Sequence, residues 1–164
     1  MCSHERHILT KKRKEQNNML RNLVAGLTVF VMLSASTVMG QIADKEKIAF
    51  AAAEKWLILV DGGKYGQSWK ETAGYFRTAV KQEQWEQMLQ AVRKPLGKLI
   101  SRKLKSKSYT TSLPGAPDGE YVVVQFETSF ENKKSAIETV TPVKDKDGKW
   151  RVSGYYINQP ARPN

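Results

Sequence analysis

The sequence predicts an α+β fold: N-terminal helices packed on a curved antiparallel sheet of about four strands, cone-shaped. Three observations predict it. Residues 44–93 carry apolar side chains at helical spacing. Residues 108–157 read as two β-hairpins, with apolar alternation broken by polar turns. The helical segments come as one block and the strands as another, the order of an α+β domain. A length of 164 residues suits one domain.

The first forty residues read as a delivery segment. Residues 1–22 are polar and basic, residues 23–39 are apolar or small without charge, and small residues close the run at Val38 and Gly40. This is the pattern of a secretory signal peptide cleaved after Gly40. An uncleaved membrane anchor is the alternative, against which the small-residue exit argues. Met19, followed by Leu20-Arg21-Asn22, is a second candidate initiator. The expected organisation is a signal region over residues 1–40, one α+β domain over 41–157 and a tail over 158–164.

Charge and rare residues bound the function. The chain carries 27 Lys+Arg against 16 Asp+Glu, a net +11. Six cations and two anions fall in residues 1–40, which leaves 21 against 14, or +7, for the remainder. The one cysteine, Cys2, and both histidines, His4 and His7, lie in the leading segment. A folded domain beginning at residue 41 therefore excludes an internal disulfide, a thiolate or histidine metal site, and Ser-His or Cys-His nucleophiles. No cofactor and no metal is expected.

Asp44 is placed as an N-cap, with Glu46 in the first turn. Ile48, Ala52, Trp56, Leu59 and Val60 form the apolar stripe of the first helix, which Gly62-Gly63 stops. Tyr65–Ala73 reads as a short second helix ended by Gly74. Lys81–Arg93 reads as a third, with Trp85, Met88, Leu89 and Val92 inward. Pro95 and Gly97 turn the chain. Trp56, Trp69 and Trp85 are read as core rather than as a stacking platform for bases. The basic run Lys98, Arg102, Lys103, Lys105, Lys107 is a solvated strand entry, with an anion-binding surface over residues 98–107 as the alternative. It lacks interleaved aromatic residues, which argues against nucleic acid.

In the sheet, Ser108–Leu113, Tyr121–Phe130, Ile137–Val143 and Trp150–Ile157 read as strands. The connections are Pro114–Gly119, Glu131–Lys134 and the Asp145–Gly148 hairpin. Register decides which polar groups turn inward. One register sets Glu127 opposite Glu138, two like charges that repel. The other sets Phe126 opposite Val140, Val140 opposite Gly154 and Glu138 opposite Tyr156. It gathers Val122, Val124, Phe126, Val140, Trp150, Val152 and Tyr156 on one apolar face with Glu138 among them, and is preferred for that continuity. Glu138 is then either a general base or ligand contact, or a buried carboxylate satisfied by Arg102, a lysine or a tyrosine hydroxyl.

The wording Ala53-Glu54-Lys55-Trp56, Val60-Asp61, Ser68-Trp69, Tyr75-Phe76 and Arg93-Lys94-Pro95-Leu96-Gly97 forms a spaced pattern. It continues through Leu113-Pro114-Gly115-Ala116-Pro117-Asp118-Gly119, Glu138-Thr139-Val140 and Gly148-Lys149-Trp150-Arg151-Val152-Ser153-Gly154-Tyr155-Tyr156-Ile157. The pattern covers most of residues 50–157 and closely resembles the bacterial envelope family called domain of unknown function 4019. The resemblance implies a secreted or periplasmic bacterial protein and brings no activity, substrate or catalytic residue. The order of elements also resembles the nuclear transport factor 2-like (cystatin-like) fold, whose sheet wraps a helix and leaves a pocket at its open end. That fold hosts isomerases, dehydratases and non-catalytic modules, so it implies a pocket without a reaction.

The expected function is that of a non-catalytic secreted domain binding a small ligand or an envelope component, not membrane-spanning in its mature form. Trp69, Tyr75, Arg102, Gln125, Glu138 and Tyr155 are the expected ligand-lining residues. The rival is a small enzyme with Glu138 as acid/base and Arg102 or a tyrosine hydroxyl stabilising developing charge.

Overall fold

The computed structural model of the chain describes residues 39–158. The expectations for a signal segment, Met19, Cys2, His4 and His7 lie outside those residues. From residue 43 onward the described residues form one compact unit, which carries the sheet and the helices. Among the described residues no helix is long and apolar enough to cross a membrane.

Helix α1 runs to residue 61. After it come α2 (Tyr65–Lys70), α3 (Gly74–Ala79), α4 (Gln82–Arg93) and a single 3₁₀ turn, Lys94–Leu96. Four strands complete the unit: β1 (Leu99–Thr110), β2 (Tyr121–Phe130), β3 (Lys133–Lys144) and β4 (Trp150–Asn158). They pair antiparallel in the order β1-β2-β3-β4, an open sheet of consecutive neighbours. The α+β class and the number of strands agree with the sequence reading. However, β1 begins at Leu99 and ends at Thr110 rather than spanning Ser108–Leu113, because the alternating basic run is itself strand, and β3 begins at Lys133, within the expected turn.

The helices differ from it in detail. Residues 39–43 are already helical, so Asp44 lies inside α1 and caps nothing. The buried stripe of α1 is Ala49, Ala53, Trp56, Leu57 and Val60, while Ile48 is 57% exposed. The alanines let the helix approach the sheet closely, and the larger side chains fill the space toward its C-terminal end. Gly63 stops α1 with φ +69 and donates its N–H to the Val60 carbonyl. Gly74 opens α3 instead of ending α2. Its N–H donates to the Asp145 carboxylate 3.0 Å away, which holds the helix start against the β3–β4 turn. On α4 the buried residues are Trp85, Leu89 and Arg93, with Met88 and Val92 left at the surface. The backbone N–H of Lys81 donates to the Gln84 side chain at the start of this helix.

One core joins the two layers. Ala53, Trp56, Leu57 and Val60 from α1 meet Trp85 and Leu89 from α4, and all pack on Val122, Val124, Phe126, Val140 and Val152 of the sheet. Phe76 stands edge-on to Trp85 at 5.2 Å, and Trp56 stands edge-on to Tyr155 at 5.3 Å. The three indoles on the helices each find an acceptor: Trp56 donates to the Ser68 carbonyl, Trp85 to the Ser68 hydroxyl and Trp69 to the Val80 carbonyl. The three tryptophans are core.

The register is neither of the two read from sequence. Val124 lies opposite Val140, Phe126 opposite Glu138 and Glu127 opposite Ile137. This is two residues from the preferred pairing, so the faces are as expected although the partners are not. A bulge between Thr128 and Phe130 absorbs the difference next to a two-residue turn. A second irregularity, between Thr141 and Pro142, sets Val140 opposite Tyr155 and Glu138 opposite Ile157. Tyr155 therefore joins the inner face, while Tyr156 is exposed.

An acid-sensitive clamp closes one side. Glu120, just before β2, accepts hydrogen bonds from Lys144 at 2.9 Å and Tyr109 at 3.3 Å, and pairs with Lys45 of α1 at 2.5 Å. The bonds from Lys45 and Lys144 lower its pKa from 4.5 to about 2. A depressed acid contributes stability above its unfolded pKa and loses it as pH falls through the folded one. Between pH 4.5 and 2, the parent protein is expected to lose more stability than Glu120→Gln, as read from urea midpoints. Parallel acid limbs for the two proteins would show that the clamp contributes nothing.

Candidate functional site

The one carboxylate on the inner sheet face is Glu138, with 0% exposure. Four groups donate to it. Its Oε2 accepts from Arg102 Nε at 2.5 Å and Thr128 Oγ1 at 3.0 Å. Its Oε1 accepts from Tyr155 OH at 2.7 Å and Arg102 Nη2 at 3.1 Å. Strand pairing builds this arrangement: Arg102 lies opposite Thr128, and Glu138 lies beside both through the neighbouring strand. Four donors fill the acceptor capacity of a carboxylate.

The network extends to the helices. Arg102 Nη1 donates to Asp61 Oδ2 at 2.7 Å, and Arg93 Nη2 donates to Asp61 Oδ1 at 2.7 Å. Asp61 ends α1, Arg93 ends α4 and Arg102 stands in β1, so two guanidinium–carboxylate contacts tie both helix ends to the sheet. Arg93 is 5% exposed and lies over the Phe130 ring, 4.4 Å from its centroid. Two cations and two anions balance. Burial works against the charge of Arg102, but the bonds to Asp61 and Glu138 outweigh it and raise its pKa above the ordinary arginine value. Burial, reinforced by the Glu138 carboxylate, likewise raises the Tyr155 hydroxyl far above the ordinary tyrosine value. Tyr155 thus remains a donor and Arg102 a cation, each matched to an acid.

The structure brings Arg102, Glu138 and Tyr155 into direct contact. It does not bring the other three expected residues to them. Trp69 is packed against the core. Gln125 is half-buried on the opposite sheet face, where it accepts from Ser106 Oγ at 3.3 Å. Tyr75 belongs to a second cluster with Ala73, Tyr121 and Val143. Asp61, Arg93 and Thr128 complete the polar network and were not among the expected residues. Arg93 carried a signal: it follows Leu89 by four residues on the stripe that Trp85 begins.

What the Glu138 cluster can do chemically is limited by its closure. A general base needs a lone pair facing substrate, and all acceptor positions of Glu138 are taken from within the protein. Among the described residues no three His, Cys, Asp or Glu side chains converge as metal ligands would.

A ligand-sized space lies at Tyr75 instead. A groove of about 480 Å³ runs between α3, the loop at Pro117–Gly119 and the β3–β4 turn. Tyr75 supplies aromatic surface over the buried ring of Tyr121, and Thr78, Asp118, Lys144 and Lys146 supply polar groups. Internal bonds fix its walls. Tyr121 OH donates to the Pro117 carbonyl at 2.5 Å, and Asp145 is bound by the Gly74 N–H and by Arg151. Burial, reinforced by a bond to Tyr75, raises the Tyr121 hydroxyl to about 12. The Gly74 N–H holds Asp145 below the ordinary carboxylate range.

Residues 52–155 match the model of a family described as a protein of unknown function, DUF4019. No curated protein and no solved structure matches the chain.

Proposed function

The chain belongs to a family of unknown function, DUF4019, so we propose its function from its own side chains: a non-catalytic binding domain, secreted or periplasmic, that holds a small polar ligand in the Tyr75 groove. The observation that carries this reading is the groove itself. It has the volume of a small-molecule site, and its walls are held by bonds within the protein. The acids in its lining, Asp118 and Asp145, equal the lysines, Lys144 and Lys146, in number. Balanced charge favours a neutral or zwitterionic ligand, and a tyrosine ring beside carboxylates suits the apolar face and hydroxyl edge of a sugar. The basic, apolar and small-residue order of residues 1–40 supports export with cleavage after Gly40. Helices followed by an open four-stranded antiparallel sheet support the nuclear transport factor 2-like fold.

The test is a panel of neutral saccharides and amino acids, read by amide shift changes. Saturable shifts at residues 74–78, 117–121 and 143–146 are expected. Tyr75→Ala is expected to weaken the best binder at least tenfold with its melting temperature kept within a few degrees. Binding that survives Tyr75→Ala, or no saturable binder in the panel, would overturn the assignment.

A further inference from the structure

The opposite face of the sheet carries a second groove, of about 380 Å³, which crosses β1, β2 and β3 near the β2–β3 turn. Its composition is unlike that of the Tyr75 groove. Three lysines line it: Lys103 and Lys105 from β1 and Lys134 from β3. Three serines line it as well, one per strand: Ser101, Ser129 and Ser135. Ser101 lies directly opposite Ser129. The one acid in the lining is Glu127, opposite Lys103 and 3.8 Å from the Lys105 ammonium, which leaves the groove with a surplus of two positive charges.

Two ordinary accounts of this surface fall short. Lysines on an edge strand guard it against unwanted pairing, and β1 has β2 as its only partner among the described strands. Lys134 stands at the start of β3, before its pairing with β4 begins at Ile137, so the same account reaches the lysines but not the serines beside them. A water-exposed sheet face is commonly covered by β-branched or long side chains that touch across strands. Here three serines leave a trough with hydroxyl groups along it and ammonium groups in its lining. Hydroxyl donors and mobile point charges are the complement of a phosphate oxoanion, which accepts hydrogen bonds on several oxygens.

We propose that this groove binds a phosphate group, carried by a small phosphorylated molecule or by a lipid head group, with Lys103, Lys105 and Lys134 neutralising its charge and Ser101, Ser129 and Ser135 donating to its oxygens. Glu127 opposes the bound anion, so removing its charge strengthens the site. The site is separate from the Tyr75 groove and does not depend on that groove having a ligand.

Titration of the protein with inorganic phosphate and pyrophosphate, against sodium chloride at matched ionic strength, tests the proposal by amide shifts. Saturable shifts confined to the groove are expected. Lys134→Gln is expected to weaken binding at least fivefold. Ser129→Val, which leaves the charge unchanged, is expected to weaken it at least threefold, and Glu127→Gln to tighten it. Sedimentation with phosphatidylglycerol vesicles, compared with phosphatidylcholine vesicles, distinguishes the two sources. Retention lost in Lys134→Gln assigns the site to a lipid head group, whereas phosphate saturation without retention assigns it to a free phosphorylated molecule. Saturation together with such retention leaves both sources open to the one site. Neither saturation nor retention, unsaturable shifts spread over all lysines, or unchanged binding by both weakening variants would overturn it.

Discussion

Arg102→Ala is expected to cost about 3–5 kcal/mol of unfolding free energy, the range for removing one partner of a buried ion pair. The side chain of Arg102 is 14% exposed, and that of Glu138 is 0%. Two of the four hydrogen bonds to Glu138 come from Arg102, and no other cation bonds to it directly. Truncation strands a carboxylate against Phe126 and Val140 in the core. The loss comes chiefly from an uncompensated buried charge, so neutralising that charge should restore part of it. Glu138→Gln placed in the Arg102→Ala background is expected to recover about 2 kcal/mol, a coupling of the size seen for contacting pairs. Denaturant unfolding of the two single variants and the double variant measures it. A loss below about 1 kcal/mol for Arg102→Ala would place the pair in the class of solvated surface bridges.

Trp85→Ala is expected to destabilise the fold by about 3–5 kcal/mol, the range for large-to-small aromatic substitutions in a core. Trp85 is fully packed between Phe76 and Trp56, and its indole N–H reaches the Ser68 hydroxyl 3.0 Å away. It therefore joins α2, α3 and α4 at one point. Removing it opens a cavity and leaves that hydroxyl without its donor. Trp85→Phe keeps most of the volume and is expected to lose less than half as much. Equal losses for the two variants would mean that the Ser68 contact, rather than the packing, carries the effect.

The inward position of Glu138 was legible because side-chain parity survives a two-residue slip. Any even shift of β2 against β3 keeps Val122, Val124, Phe126 and Glu138 on one face. The identity of its cross-strand partners was not legible, because bulges change register without changing the apolar pattern. Pro142 was the available signal: a proline within a paired strand marks an edge or a bulge, and a register irregularity lies beside it. Arg102 and a tyrosine hydroxyl could be named as partners from residue type alone. Asp61 could not, because it is the last residue of α1 and only tertiary packing brings it to Arg93 and Arg102. The outer grooves were hidden for a similar reason. The Tyr75 groove draws on three segments far apart in the chain, and Lys134 joins Lys103 and Lys105 only through strand pairing.

The placement of function outside the core is tested most directly by mapping where small polar molecules bind. The measurement is an amide-shift screen of saccharides and amino acids against the protein, with Tyr75→Ala and Glu138→Gln as paired variants. The expected result is saturable shifts around residues 74–78 and 117–121 that Tyr75→Ala abolishes and Glu138→Gln leaves intact. Shifts centred on Arg102, Glu138 and Tyr155 that Glu138→Gln abolishes would contradict the account and return the acid to the role of a ligand contact.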